Sequence, residues 1–301
     1  MSRPHSLLVP LTVCLAALLL GSLPAAAADG VWEIDAGCVD IGCFPGDGAG
    51  FPVQIMGPGS YKLTGNLDTR AAGDVDAIRI QAKAVTLDLA GFSIIGGVSC
   101  SGPPVSCASS ANGAGVRVVD VGATIKNGAI NGFGNGIDSS REYTRVQDLV
   151  VSSNSGTGIS AGSAGSQILN ATVFLNGGIG IAIANAGMVR RSTSYGNGTA
   201  GIATGESCLL IDNSIFKNGL WGILSNGKSL FARNVIAGSG SEGVRDQGGG
   251  SLAFGNALAN NPIALISLVP TSAFTENTLT ASGGTSFWLS LGQNACDGSS
   301  C

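Results

Sequence analysis

Histidine is all but missing from this 301-residue chain, whose one copy is His5, close to the N-terminus. A fold without histidine beyond that point excludes Ser-His-Asp triads, histidine general bases and histidine metal sites. Charge is sparse as well, at 11% of residues, with 15 basic and 19 acidic side chains. No basic stripe is present of the kind a nucleic acid or an anionic membrane would need, so neither is expected as a partner. Low charge combined with 44% hydrophobic residues is the reverse of the composition of disordered chains. No phosphate-binding glycine motif stands out, because the many Gly-x-Gly strings follow a longer period described below.

A long apolar run occurs once, from Leu7 to Leu20, broken only by Pro10 and Thr12. Arg3 precedes it, and Pro24 with Ala25 to Ala28 follow, the arrangement of a cleavable secretory signal of the bacterial type. Cleavage after Ala27 or Ala28 satisfies the small-residue rule equally well. The run is too short for a retained span, and Cys14 has Val13 before it where a lipoprotein signal needs a small residue. Residues 1–28 are therefore read as a signal peptide and the remainder as a secreted, periplasmic or surface protein with no membrane insertion. Its 273 residues carry 14 basic and 19 acidic side chains, a balance of −5.

Cysteine usage agrees with export. Cys38 and Cys43, Cys100 and Cys107, and Cys296 and Cys301 are close sequence pairs that suit small disulfide loops in an oxidising compartment. Cys208 has no near neighbour and is expected to be buried as a small apolar residue.

Glycine is abundant, at 48 residues, and its placement is periodic. A glycine followed by Ile or Val recurs at Gly115, Gly136, Gly158, Gly180, Gly201, Gly222 and Gly243, in steps of 21 or 22. A polar register runs at the same period through Asn127, Asp148, Asn170, Ser192, Asn213, Asn234, Asn256 and Asn277, and a shorter one through Asn154, Asn176, Asn197 and Asn218. Gly within each unit and dominance of Val, Ile, Thr and Ser disfavour helix. Short alternations such as Val85-Thr86-Leu87-Asp88-Leu89 have the strand period.

Three short strands joined by tight turns fill one circuit of about 21 residues. Stacked circuits pair each strand in parallel with its copies. The expectation is an all-β, single-stranded, right-handed parallel β-helix of about ten coils, on the order of 50 Å long. Asn suits a left-handed turn, and its amide can bond its copies above and below. The eight-residue polar register is therefore read as one structural ladder.

The expected layout is an N-terminal cap and first coil over 29–84, repeats over 85–283 with a loop insertion at 98–110, and a C-terminal cap over 284–301. The two capping regions are expected to cover edges that would otherwise invite strand pairing.

The stretches Gly42-Cys43-Phe44-Pro45-Gly46-Asp47, Gly59-Ser60-Tyr61-Lys62-Leu63-Thr64-Gly65-Asn66-Leu67 and Val85 to Phe92 resemble exported bacterial proteins with right-handed parallel β-helix repeats. The ending Asn294-Ala295-Cys296-Asp297-Gly298 to Cys301 is similar to that of the same group. The resemblance implies a pectate-lyase-like fold and export. It leaves activity open, since that fold hosts lyases, hydrolases, epimerases, adhesins and tailspikes.

Chemistry on such a rod sits on outward positions. After each inward Ile or Val these are Arg79, Arg117, Asp138, Ser160, Ala182, Ala203, Leu224 and Arg245, so ionisable groups gather at the N-terminal end. Arg79, Arg117 and Asp138, with Arg141 and Glu142 in the following turn, form the candidate ligand site, with the insertion as a wall. Two guanidinium groups at neighbouring heights need an anion between them, which a carboxylate-bearing sugar would supply. Asp74 and Asp76 are placed to join Arg79, or as an Asp-x-Asp pair to hold calcium; otherwise no cofactor is expected.

A second column of Lys126, Gln147, Leu169, Arg191, Asp212, Arg233, Gly255 and Glu276 predicts a stacked Arg191–Asp212–Arg233 ion pair. Arg190, whose register falls with Ile168, Ile211 and Ala232, either bulges outward or is a buried charge. Two functions remain open. One is a non-catalytic rod that binds extracellular polysaccharide or builds structure. The alternative is a lyase, hydrolase or epimerase acting on uronic-acid glycans.

Overall fold

A computed structural model describes residues 30–297. The proposed signal peptide and Cys301 lie outside the described residues. Within them the chain is almost entirely β, with one four-residue helix, Ala36–Val39. It winds as a right-handed parallel β-helix. Each central coil contributes one strand to a narrow eleven-stranded sheet and two to a broad sheet of 21 strands. Eleven strands in the narrow sheet are one more than the count of about ten coils. Ten steps at the parallel-strand spacing make it about 48 Å long.

The inward residues of the narrow sheet form an unbroken column from Val53 through Ile78, Val116, Ile137, Ile159, Ile181, Ile202, Ile223 and Val244 to Leu265. From Val53 to Leu265 each is at most 1% exposed. From Val116 to Val244 a glycine precedes each, and it is set by close approach. A Cβ at Gly136 would stand 2.3 Å from Val151 Cγ1, and one at Gly201 would stand 2.5 Å from Ile215 Cγ2. No side chain fits at these glycines without displacing its neighbours, so the Gly-Ile step repeats through the middle coils.

The polar register divides in two. Asn127, Asp148 and Asn170 occupy an outer corner with φ of 60°, 54° and 52°. That corner continues not into Ser192 but into Arg191, Asp212, Arg233, Gly255 and Glu276, also at positive φ. Strand pairing matches Leu169 with Arg190 and Thr172 with Thr193, so Ser192 aligns with Ala171. Ser192, Asn213, Asn234, Asn256 and Asn277 are buried one position further in. The eight-residue ladder expected from the sequence is therefore two columns with different roles. The outer residues hold the left-handed corner and bond between coils only at exposed contacts such as Asn170 Nδ2 to Asp148 Oδ1 at 3.0 Å. The inner amides instead form a continuous buried chain from coil to coil. Asn234 Oδ1, for example, accepts from Asn213 N–H at 3.0 Å and Asn213 Nδ2 at 2.9 Å.

The shorter register is a second internal ladder. Asn154, Asn176, Asn197 and Asn218 are linked by side-chain bonds of 2.8, 3.0 and 3.0 Å. A third uses hydroxyls at the opposite turn, where Cys208, Ser229 and Ser251 N–H groups donate to Ser229, Ser251 and Ser272 Oγ. Cys208 is a buried free thiol in that series, and its Sγ lies 3.1 Å from the Ala184 carbonyl.

Cys38–Cys43 and Cys100–Cys107 are disulfides. Cys296 is also disulfide-bonded. The short helix, capped by Asp35, lays Val39, Cys43 and Phe44 on the core, where Phe44 meets Trp32 and Tyr61 edge-on. Arg190 belongs to the outward column between Leu169 and Ile211, and Val189 takes the inward place beside Ile168 and Leu210. Its guanidinium reaches Asp212 at 3.6 Å, and Asp212 also bonds Arg233 at 2.8 Å. The expected Arg191–Asp212 contact is thus replaced by Arg190–Asp212, while the expected Asp212–Arg233 contact forms.

Candidate binding site on the narrow sheet

The outward column of the narrow sheet runs Gln54, Arg79, Arg117, Asp138, Ser160, Ala182, Ala203, Leu224, Arg245 and Ile266. At its N-terminal end Arg79, Arg117 and Asp138 come together around Asp76, a residue 8% exposed. Asp76 Oδ2 accepts from Arg117 Nε at 2.8 Å and Arg79 Nη2 at 2.9 Å, while Oδ1 accepts from Ala114 N–H at 2.9 Å. Arg117 also donates to Asp138 Oδ2 through Nη1 and to the Asn112 carbonyl through Nη2 at 3.1 Å.

The anion between the two guanidinium groups is therefore Asp76. The carboxylate-bearing sugar inferred from the sequence is not needed to relieve them. Burial pushes the Asp76 carboxyl upward, but hydrogen bonds from Arg117, Ala114 N–H and Arg79 outweigh it and leave its pKa lowered. The bond to Asp76 holds Arg117 above the usual guanidinium range.

The insertion forms one wall. Asp74 accepts from Gly113 N–H at 2.7 Å and Asn112 N–H at 2.9 Å, and these bonds lower its pKa. Gly113 is obligatory there, since a Cβ would stand 2.2 Å from the Val75 carbonyl. The hairpin of Cys100–Ser101 and Ser106–Cys107 leans away along the rod, with Cys100 Sγ 3.6 Å from the Asn154 carbonyl. Asp74 and Asp76 thus face N–H donors rather than each other, an arrangement suited to anchoring the insertion and the arginines and not to calcium. No cluster of three or more metal-ligating side chains is gathered among the described residues.

These groups line an open cleft of about 490 Å³ that includes Gln54, Arg79, Asn112 and Arg117. Gln54 is held by Gln81 Nε2 at 2.9 Å. Arg141 and Glu142 are not part of it. Arg141 donates to the Val119 carbonyl at 2.9 Å, past the far end of strand Ala114–Val118, and Glu142 is solvent-exposed in the same turn.

Beyond Ser160 the face becomes a shallow trough of about 350 Å³ floored by Ala182, Ala203 and Leu224. It ends at a second ion pair, Arg245 to Glu242 at 3.0 Å, with the guanidinium carbon 5.9 Å from the Trp221 ring centre. Glu242 and Trp221 were not singled out from the sequence. The signal for the pair was the repeated spacing of Asp76-Ala77-Ile78-Arg79 in Glu242-Gly243-Val244-Arg245.

No sequence family and no curated protein matches the chain. Solved structures do. The Azotobacter vinelandii mannuronan C-5 epimerase AlgE6 A-module superposes with a TM-score of 0.54 at 13% identity, covering 89% of this chain and 88% of that one. Pectate lyase Pel9A gives 0.52 at 12% identity, covering 88% and 69%. The Dettilon tailspike protein gives 0.52 at 11% identity over 78% of this chain, which spans 53% of the tailspike's length. The fold is the pectate-lyase-like β-helix. Identities this low describe backbone shape and carry no residue roles. No helix among the described residues is long and apolar enough to cross a membrane.

Proposed function

We propose that this is a secreted or surface β-helix that binds a hydroxyl-rich, predominantly neutral glycan along the outer face of the narrow sheet without turning it over. The observation that carries this reading is the Asp76–Arg79–Arg117–Asp138 network beside its cleft. Guanidinium, carboxylate and amide groups held by one another present fixed donors and acceptors, as sugar hydroxyls require. The two arginines already have carboxylate partners, so a strongly anionic polymer gains little there.

Catalysis is disfavoured by what surrounds the cleft. A general acid needs a carboxyl whose pKa is raised, whereas that of Asp76 is lowered. Ser160, Ala182 and Ala203 then bring no ionisable group to the middle of the face. A second reading, a lyase or epimerase acting on uronic-acid glycans, draws support from the superposition on a mannuronan epimerase and a pectate lyase and from Arg79, whose side chain is 42% exposed.

A glycan array followed by calorimetry tests the proposal. The expected result is binding to neutral oligosaccharides that Arg79→Ala weakens about tenfold or more, roughly the 1.4 kcal/mol of one good polar contact. Unsaturated sugar ends released from a uronic-acid polymer, or epimerised residues in it, would favour the second reading. No binding to any neutral glycan would sink the first.

A further inference from the structure

The outer surface of the broad sheet changes character along the rod. Its first coils present Thr124, Lys126, Arg145 and Gln147, and its later ones present an apolar stripe. Met188, Leu209, Leu230 and Leu252 stack at successive heights in one outward column, in line with Leu289 at the C-terminal end. The adjacent column holds Leu169, Ile211, Ala232 and Phe254, interrupted between the first two by Arg190, which is paired to Asp212. Leu209 is 41% exposed and Leu289 64%. Inside these strands Val189, Leu210, Phe231 and Ala253 are completely buried, so the strands are apolar on both faces. A contiguous exposed apolar stripe on an otherwise soluble repeat surface marks an interface.

We propose that a second copy of this chain covers the stripe, its rod running antiparallel. Counting from Gln167 to Leu289 the outward column spans seven coils, about 29 Å, with Leu230 in the middle. A two-fold axis along the coil of Leu230 sets Leu230 against itself, Leu209 against Leu252 and Ile211 against Phe254. Apolar meets apolar across the three central coils and at Met188 against Ala273, while Gln167 faces Leu289 at the ends and Arg190 faces Thr275.

The same operation brings Arg191 opposite Glu276 twice. Both are exposed at the left-handed corner beside the stripe, and among the described residues neither has an ion-pair partner within its own chain. The register that aligns the central apolar residues thus also sets Arg191 against Glu276, while Arg233, held by Asp212, meets its own copy at the axis. A stripe of this length falls at the low end of interface sizes, so the dimer is reversible, with a dissociation constant on the order of tens of micromolar. It leaves the narrow sheet open and is independent of what that sheet binds.

Sedimentation equilibrium of the purified protein across about 1–300 µM, a range bracketing that constant, tests this. The expected result is a monomer–dimer equilibrium that Leu230→Lys abolishes with an unchanged circular-dichroism spectrum and unchanged glycan binding. Glu276→Arg should weaken the dimer about tenfold or more, and Arg191→Glu added to it should restore most of the loss. A protein that stays monomeric throughout overturns the proposal, as does a dimer indifferent to Leu230→Lys. So does a monomer that co-sediments with phosphatidylcholine vesicles, which would put lipid on this face.

Discussion

The two halves of the rod use one backbone corner in opposite ways. From Asn127 to Glu276 the corner residue has positive φ in every coil. Just inside it, the early coils place Gly128, Leu149 and Ala171, and the later ones place Ser192, Asn213, Asn234, Asn256 and Asn277. Leu149 is as deeply buried as Asn213, at 1% exposure each. The bend therefore does not demand an amide. It accepts either an apolar side chain that fills space or a chain of amides in which each donor has an acceptor. The outer surface is inverted with respect to the inside. Coils with an apolar inner corner carry Lys126, Arg145 and Gln147 outside, and coils with the amide ladder carry Leu209, Leu230 and Leu252.

The sharpest way to break this comparison is to place an apolar residue in the amide half. Asn234→Leu removes the acceptor for Asn213 N–H and Asn213 Nδ2, and the donor to Leu210 O at 2.9 Å and Asn256 Oδ1 at 3.0 Å. Each buried polar group left unpaired costs about 1–3 kcal/mol, so the loss should be on the order of 4 kcal/mol or more. Asn170→Gly, at the exposed corner with φ of 52°, should change stability by no more than about 0.5 kcal/mol. Urea titration of the two variants decides the matter. Equal losses would mean that the outer and inner columns are one ladder after all.

A second, smaller effect should separate the halves by pH. The N-terminal coils are tied together through buried Asp76, whose pKa is lowered in the folded chain. In the later coils the carboxylate with a lowered pKa, Asp212, sits in a surface ion pair, and the buried ladders are Asn and Ser, which do not titrate. A carboxylate with a depressed folded pKa contributes stability that is fully present above its unfolded value, near 3.9, and lost as pH falls through the folded value. Asp76→Asn should cost about 2–3 kcal/mol at neutral pH, because Arg79 loses its carboxylate partner and Arg117 keeps only Asp138. That cost should shrink below about pH 4. Hydrogen exchange in acid should open the coils of Ile78 and Val116 before those of Ile223 and Val244. Uniform opening, or a cost independent of pH, would show that the network contributes nothing through its charge.

How far these features are legible in the sequence depends on how many causes act on one position. The narrow sheet is readable because its inward column and the glycine before it each have one cause, so the outward residues from Arg79 to Arg245 align as counted. Asp76 joining Arg79 is visible three residues away in sequence. Its bond to Arg117 is not, because the insertion separates the two and only the stacked coils bring them together.

The corner is misread for a related reason. Asn is favoured at the outer position by backbone conformation and at the inner one by amide pairing, and a step of 22 instead of 21 residues joins the two columns without a visible seam. Strands such as Leu209-Leu210-Ile211 conceal the outer stripe, since alternation cannot be seen when both faces are apolar.

The smallest effect concerns Cys208, which occupies the hydroxyl ladder of the C-terminal half. Its N–H donates to Ser229 Oγ at 3.1 Å, just as Ser229 N–H donates to Ser251 Oγ. Its Sγ faces the Ala184 carbonyl, and burial raises its pKa. A serine hydroxyl at this position keeps the donor to Ala184 O and is smaller by only the difference between oxygen and sulfur. Cys208→Ser should therefore change stability by less than about 1 kcal/mol, the net worth of one ordinary hydrogen bond. Cys208→Ala removes the donor and should cost about 1 kcal/mol more than Cys208→Ser. The native thiol should resist alkylation until the chain unfolds, since thiolate is the reactive form and the site is closed to solvent. If Cys208→Ser proves as damaging as a cavity-forming substitution, the site is apolar and the hydroxyl series stops at Ser229. The ladder that distinguishes the C-terminal half would then be confined to its last coils.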